Sequence, residues 1–398
     1  MVTAFMDMVG VLMVVPLLPF FATEMDAGGL VVGLLVSSFS IAQLLMAPVW
    51  GRFSDHYGRR PALIIGMTAA TIAYVIFAFA DSLWLLFLMR LVQGAGGGTV
   101  SVIQAYVADA VEPKDRAKGL GWLSAATNAG VALGPLLGSW ALQFGRSGPG
   151  LSAAALTLVT IGFAWKYLRE SRDMVEAAAI RAAPKPAGRT REAVFRVASH
   201  PAEPPSRLIW IYSIGIGAFQ GITAILALFL ADRFCVTEHT IGYFFAYIGV
   251  LSVVARALVL GRMVDHFGEA RLSRIGLALL ALGLGLIPFM HPAYGNPFLT
   301  YVPLALAVAL LPLGTAFTFP CVTALLSRVV PSSERGLYMG VQQTFGGASR
   351  VIFPIVYGAM FDRWIELPFL LGAALVVFTI YLGRGMDRFA QQAEAKAS

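Results

Sequence analysis

The sequence predicts an all-α integral membrane protein with twelve transmembrane helices in two parallel six-helix repeats. Three observations carry this. Hydrophobic residues make up 58% of the 398-residue chain and charged residues 13%, where a soluble domain carries about a quarter charged. Apolar stretches of the ~20 residues needed to cross a bilayer recur from end to end. Finally, the charged stretch "GRFSDHYGRRP" (51–61) returns as "GRMVDHFGEAR" (261–271).

The expected spans, in order, are 2–22, 31–50, 62–80, 83–108, 118–142, 150–168, 207–231, 240–260, 273–290, 298–326, 336–360 and 366–383. Lys and Arg orient them, because cytoplasmic loops are enriched in cations. If span one starts inside, Arg146, Arg233 and Arg363 are the outer cations and Arg90, Arg256 and Arg350 lie within spans. The other 23 of the 29 then fall on the inner loops and tail. Both termini are therefore expected in the cytoplasm of a bacterial-type inner membrane. The net charge of +7 fits loops facing anionic lipid and gives no reason to invoke nucleic acid. No basic n-region or cleavage site marks a signal peptide before residue 23. Cys235 and Cys321 lie near opposite ends of their spans, so neither a disulfide nor a thiol metal site is expected.

Six spans precede a linker rich in Ala, Pro and Arg (169–206) and six follow it. This gives an N-terminal bundle over 1–168 and a C-terminal bundle with a short tail over 207–398. A second echo pairs Pro113, Arg116, Gly121 and Pro135 with Pro331, Arg335, Gly340 and Pro354. The later offset is larger, which fits the longer outer loop "MHPAYGNPF" (290–298). Parallel six-span repeats of this kind place a substrate site between the halves near the midplane.

Four motifs resemble the major facilitator superfamily, and within it the twelve-span drug:proton antiporters, such as tetracycline/proton and multidrug efflux antiporters. The loop pattern G-x-x-x-D-x-x-G-R-[RK] is met by Gly51, Asp55, Gly58, Arg59 and Arg60. Arg90, Gln93 and Gly94 meet R-x-x-Q-G in span four. Gly130, Gly134, Pro135 and Gly138 meet the antiporter pattern G-x-x-x-G-P-x-x-G-G, with Ser139 in place of the last glycine. Asp7, Gly10, Pro16 and Pro19 meet the first-span pattern of an acid, a small residue and P-x-x-P. The resemblance implies the major facilitator fold and export of a drug-like compound by antiport.

Each motif has a physical reading. Gly51 lets backbones approach, and Asp55 is placed to sit against the N-terminus of span eleven, opened by "PSSERG" (331–336). A carboxylate there contributes about 0.3–1 kcal/mol. Arg59 is expected to pair with Asp109, forming a latch that a two-state carrier can open and close. The second copy keeps Asp265 and Gly268 but has Glu269 and Ala270 for the two arginines, so a weaker latch is expected there. Gly130, Gly134 and Gly138 stack on one helix face as a close-packing seam, and Pro135 removes a backbone hydrogen bond and bends the helix. Asp7 lies about 20 Å from the outer edge of span one. An ionisable group at that depth is a functional candidate, here for proton coupling. Arg90 is its companion candidate, although its depth differs enough to argue against a direct bridge. Gln93, Phe219, Gln220, Tyr243, Tyr247, Phe317, Gln342 and Gln343 are candidate lining residues for a greasy, weakly polar pocket. Arg256 and Arg350 read as helix braces.

The favoured function is secondary active export of a small amphipathic or hydrophobic compound in exchange for protons. The same fold also serves uptake or facilitated diffusion of a small metabolite. A membrane enzyme or sensor is disfavoured, because the chain holds no phosphate-binding G-x-x-x-x-G-K-[ST] and no His/Glu/Asp cluster with metal spacing. No cofactor, metal or catalytic residue is expected. The expected partners are substrate, protons and lipid, and the protein is expected to be a monomer.

Overall fold

The computed structural model describes residues 1–112, 115–171, 189–293, 296–331 and 333–385. Outside them lie Pro113 and Lys114, most of the linker (172–188), Tyr294 and Gly295 of the longer loop, Ser332, and the tail from 386 with Arg388 and Lys396. All regular structure among the described residues is helical. In hydrocarbon every backbone N–H and C=O must be satisfied within the protein, which a helix achieves within its own segment.

Nine described helices are long and apolar enough to cross a membrane: Val2–Thr23, Gly29–Tyr57, Arg59–Ala78, Leu83–Ala110, Lys118–Phe144, Gly148–Tyr167, Pro204–Phe234, Ile241–Phe289 and Pro297–Val329. The run Ile241–Phe289 turns at Gly268 and so holds two helices. The continuous helix Arg335–Phe361, which carries Gln342, Gln343 and Arg350, and the 16-residue Leu367–Leu382 follow. Taken in chain order, these segments are numbered here as spans 1 to 12.

Two glycines make the repeated charged stretch possible. Gly58 has φ 103° and Gly268 φ 72°, a region that L side chains rarely adopt. Each lets one helix stop and the next begin with no intervening loop, between spans 2 and 3 and between spans 8 and 9.

The chain divides into two compact units: Met1–Lys185 with Val236–Val253, and Pro186–Cys235 with Val254–Ser398. The first part of span 8 thus packs in the first unit. There a Cβ at Gly249 would come within 2.7 Å of Ala132 Cα, and one at Gly242 within 2.5 Å of the Pro135 oxygen. Within the first unit span 1 packs on spans 5 and 6, span 3 on spans 4 and 6, and span 2 on span 4. The second unit repeats the scheme: span 7 on 11 and 12, span 9 on 10 and 12, and the π-helical end of span 8 (Ala255–Val259) on 10. Spans 9 and 10 cross where Gly276 and Gly314 face each other; a Cβ on either would come within 2.7 Å of the other's carbonyl oxygen. The linker helix Arg189–Ser199 is held by Trp210 Nε1, which donates to the Val197 oxygen at 3.2 Å.

Candidate functional site

The residues singled out by charge within span 1 and span 4 belong to one buried polar cluster. Asp7 is 6% exposed, and its Oδ2 accepts a hydrogen bond from Thr99 Oγ1 at 3.1 Å. Thr99 is available because span 4 is interrupted: "GAGGG" (94–98) ends the helix Leu83–Gly96, and Thr99 opens the next, Thr99–Ala110. Arg90 Nη1 donates to Gln93 Oε1 at 2.7 Å and Nε to the Leu35 oxygen at 3.3 Å, with the guanidinium 4.6 Å from the Phe39 ring centroid. Among the described residues Asp7 and Arg90 form no ion pair; each has its own partners. Tyr74, fully buried on span 3, stands within electrostatic reach of Asp7, Arg90 and Gln93. A Cβ on Gly10 would come within 3.2 Å of its hydroxyl, so a small residue one turn after Asp7 leaves room for the phenol.

The glycine seam carries the helix that holds Asp7. A Cβ at Gly130 would lie 2.7 Å from the Phe5 oxygen, at Gly134 2.7 Å from Leu12 Cβ, and at Gly138 2.1 Å from the Met13 oxygen. Span 5 therefore meets span 1 backbone to backbone on either side of Asp7. On another face of span 5, the departure from the motif has a use of its own. Ser139 Oγ donates to the Glu238 oxygen at 2.8 Å and accepts from Gly242 N at 3.1 Å. Gly242 N is one of the N–H groups left without an intrahelical partner at the start of a helix, and the hydroxyl satisfies it from outside.

The loop motif forms a dense charge cluster. Arg59 Nε donates to Asp109 Oδ2 at 2.9 Å, Nη1 lies 3.0 Å from Asp55 Oδ1, and Nη1 also donates to Ser54 Oγ at 2.8 Å. Arg60 donates from Nη2 to the Trp165 oxygen. Glu170 accepts from the backbone N–H groups of Arg59 at 2.8 Å and Arg60 at 3.0 Å, placing a carboxylate at the N-terminus of span 3, where the helix dipole favours it. Gly51 has nothing within 4 Å of where a Cβ would stand, so no close backbone approach is made there.

In the second unit the equivalent pair keeps its place and reverses its sign. Glu269 follows Gly268 as Arg59 follows Gly58, and Glu269 Oε1 accepts from Arg328 Nη2 at 2.9 Å. Arg328 lies at the end of span 10, as Asp109 lies at the end of span 4.

The candidate lining residues are divided between the two units. Gln93, Tyr243 and Tyr247 lie in the first unit, with Tyr243 66% exposed. Phe317 is packed in an apolar core with Ala255, Leu272 and Cys321. Gln342 is fully buried, its Nε2 donating to Thr323 Oγ1 at 3.3 Å, whereas Gln343 is exposed. Phe219 and Gln220 are half-buried on span 7. Thr99, Tyr74 and Glu170 are the partners that sequence reasoning missed. The glycine break beside Thr99 was the one local signal for any of them.

A family model described as the Major Facilitator Superfamily matches residues 1–354. The chain belongs to that superfamily. As a member it is a multi-pass membrane transporter, and it is similar to several curated resistance proteins. It is 29% identical to the class C tetracycline resistance protein of Escherichia coli over 392 residues, 94% of this chain and 92% of the relative. It is 26% identical over 384 residues to multidrug resistance protein 2 of Bacillus subtilis (strain 168), covering 96% and 92%. Among solved structures, the nucleoside transporter NupG superposes with a TM-score of 0.76 at 15% identity, covering 96% of this chain and 97% of that one. At that identity the likeness concerns the fold alone.

Proposed function

We propose that this superfamily member exports a small amphipathic or hydrophobic compound across a bacterial-type inner membrane in exchange for protons, with both termini in the cytoplasm. The observation that carries the reading is Asp7: a buried carboxyl bonded to Thr99, on a helix that the antiporter glycines hold at backbone distance. Low dielectric disfavours an isolated charge, so a carboxyl in such a place exchanges its proton when its surroundings change. Thr99 steadies the carboxyl, and Arg90, satisfied by carbonyls and Gln93, supplies fixed positive charge nearby. The loop charges around Arg59 serve as a latch of modest strength, suited to a carrier that must reach two states. The resistance relatives, at 24–29% identity, favour a toxic compound as cargo. Growth of a sensitive host across a panel of such compounds, with and without this gene, tests export. The expected result is raised tolerance to some members together with lower accumulation inside the cells. Higher accumulation on expression would point instead to uptake.

A further inference from the structure

The carbonyls at the break in span 4 are taken up by span 2. The last four C=O groups of a helix lack intrahelical N–H partners. At membrane depth such a break is tolerated only where the surrounding protein satisfies them. The turn itself accounts for one, since Gly97 N donates to the Gly94 oxygen at 3.0 Å. Two side chains of span 2 reach its neighbours. Trp50 Nε1 donates to the Ala95 oxygen, and Gln43 Nε2 donates to the oxygen of Gly97, the capping residue, at 3.1 Å. Gln43 and Trp50 stand two turns apart on one face of their helix.

Glycines let both neighbouring helices close on the break. A Cβ at Gly94 would come within 2.4 Å of the Phe39 oxygen, and one at Gly98 within 2.5 Å of Trp50 Cγ. From span 3, a Cβ at Gly66 would come within 2.6 Å of Thr99 Cγ2, so Gly66 leaves room for Thr99. The break also decides where Thr99 points. At about 100° per residue, an unbroken helix would put residue 99 about half a turn round from Arg90. Broken as it is, span 4 brings Thr99 Oγ1 to Asp7 while Arg90 and Gln93 remain in the same buried cluster.

We infer that Gln43 and Trp50 are positioning residues for Asp7: by holding the carbonyls of the break, they keep Thr99 on its carboxyl. Without those two donors the carbonyls are left to the N–H groups of the next turn, span 4 runs on as one helix, and Thr99 is carried away. The consequence for transport rests on the proposed proton exchange at Asp7; the placement of Thr99 does not.

The test first reads that placement with thiols, in the full chain in proteoliposomes. Cys235→Ser and Cys321→Ser remove the native thiols, and Asp7→Cys with Thr99→Cys supplies the pair. A short bifunctional thiol reagent should link positions 7 and 99. Trp50→Phe together with Gln43→Met should slow the linking about fivefold or more, the equivalent of a lost hydrogen bond. Phe keeps a ring and Met the length, and each change alone should slow it in part, so misfolding of one variant leaves the other to decide. An unaltered rate, or no linking with Gln43 and Trp50 intact, would overturn the inference. With Asp7 and Thr99 in place, the same two changes should cut the protons moved per substrate as far as Thr99→Val does. In a chain that already carries Thr99→Val they should cut it no further. A further loss there would make them general braces of span 4 and overturn the positioning role. Absence of proton movement in the wild type would overturn the coupling reading instead, and the thiol result judges the placement of Thr99 separately.

Discussion

Ser139 stands where the antiporter pattern ends in glycine, and the hydroxyl that this change adds is not idle. It bonds the Glu238 oxygen and the Gly242 N–H, fastening the start of span 8 to span 5. Each such bond contributes about 1 kcal/mol. Ser139→Gly should therefore speed hydrogen exchange at Gly242 and its neighbours several-fold, while leaving the far end of span 5 unchanged. Unaltered exchange at Gly242 would deny the hydroxyl that role. Single residues were unevenly legible in the sequence. Asp7 and Arg90 stood out because a charge within an apolar span is expensive and so rare, and Arg59 with Asp109 because Arg59 belongs to the loop motif and Asp109 ends span four. Thr99, 92 positions from Asp7, did not stand out, since a Thr in a membrane helix most often bonds its own backbone. Tyr74 looked like any packed aromatic. Glu170 lay at a span end amid other charges, and nothing local tied it to the N–H groups at residues 59 and 60.

At the scale of elements, span 5 is defined by what its glycines permit. The Met13 oxygen lies 2.1 Å from where a Cβ on Gly138 would stand, against 2.7 Å to Leu12 Cβ for Gly134. Gly138→Ala should thus lose more transport and stability than Gly134→Ala, with overpacking of about 1–3 kcal/mol for the worse of the two. Thermal unfolding and export, measured on both variants, check this ordering; equal and full function in both would mean the seam is not tight. A second element-scale test lies at the start of span 12. There the hydrogen bond from the Arg233 guanidinium holds the Glu366 carboxyl below the usual Glu range. A carboxyl depressed in the folded state contributes stability above its unfolded value near ~4.3 and loses it as pH falls through the lower folded value. Glu366→Gln should cost about 1 kcal/mol or less near neutrality, given the pair's partial exposure. The gap to the wild type should close on acidification; a pH-independent gap would show that the charge is irrelevant. The helices themselves were legible from apolar length. The break in span 4 was visible as glycines without its consequence, which is to free Thr99 for Asp7.

Across the whole molecule, the two sequence echoes prove to be one structural rule applied twice. The offset of the charged stretch carries Arg59 onto Glu269, and the larger offset of the later echo carries Asp109 onto Arg328. The same pair is formed in both units with opposite polarity. A weaker second latch was expected because the two arginines were absent; what the sequence concealed was that span 10 reverses its own charge to match. Glu269→Arg should therefore destabilise by about 1 kcal/mol through like-charge repulsion at a part-exposed site, and adding Arg328→Glu should restore the wild-type melting point. Failure of the double reversal to rescue would remove the pairing as a source of stability. The most direct trial of the transport reading is substrate-dependent proton movement in vesicles, with export followed in parallel, for wild type, Asp7→Asn and Asp7→Glu. Wild type should move protons with substrate, Asp7→Glu should retain part of that coupling, and Asp7→Asn should lose it while downhill movement of substrate survives. Full coupling in Asp7→Asn, or substrate transport in the wild type with no proton movement at all, would contradict proton exchange through Asp7.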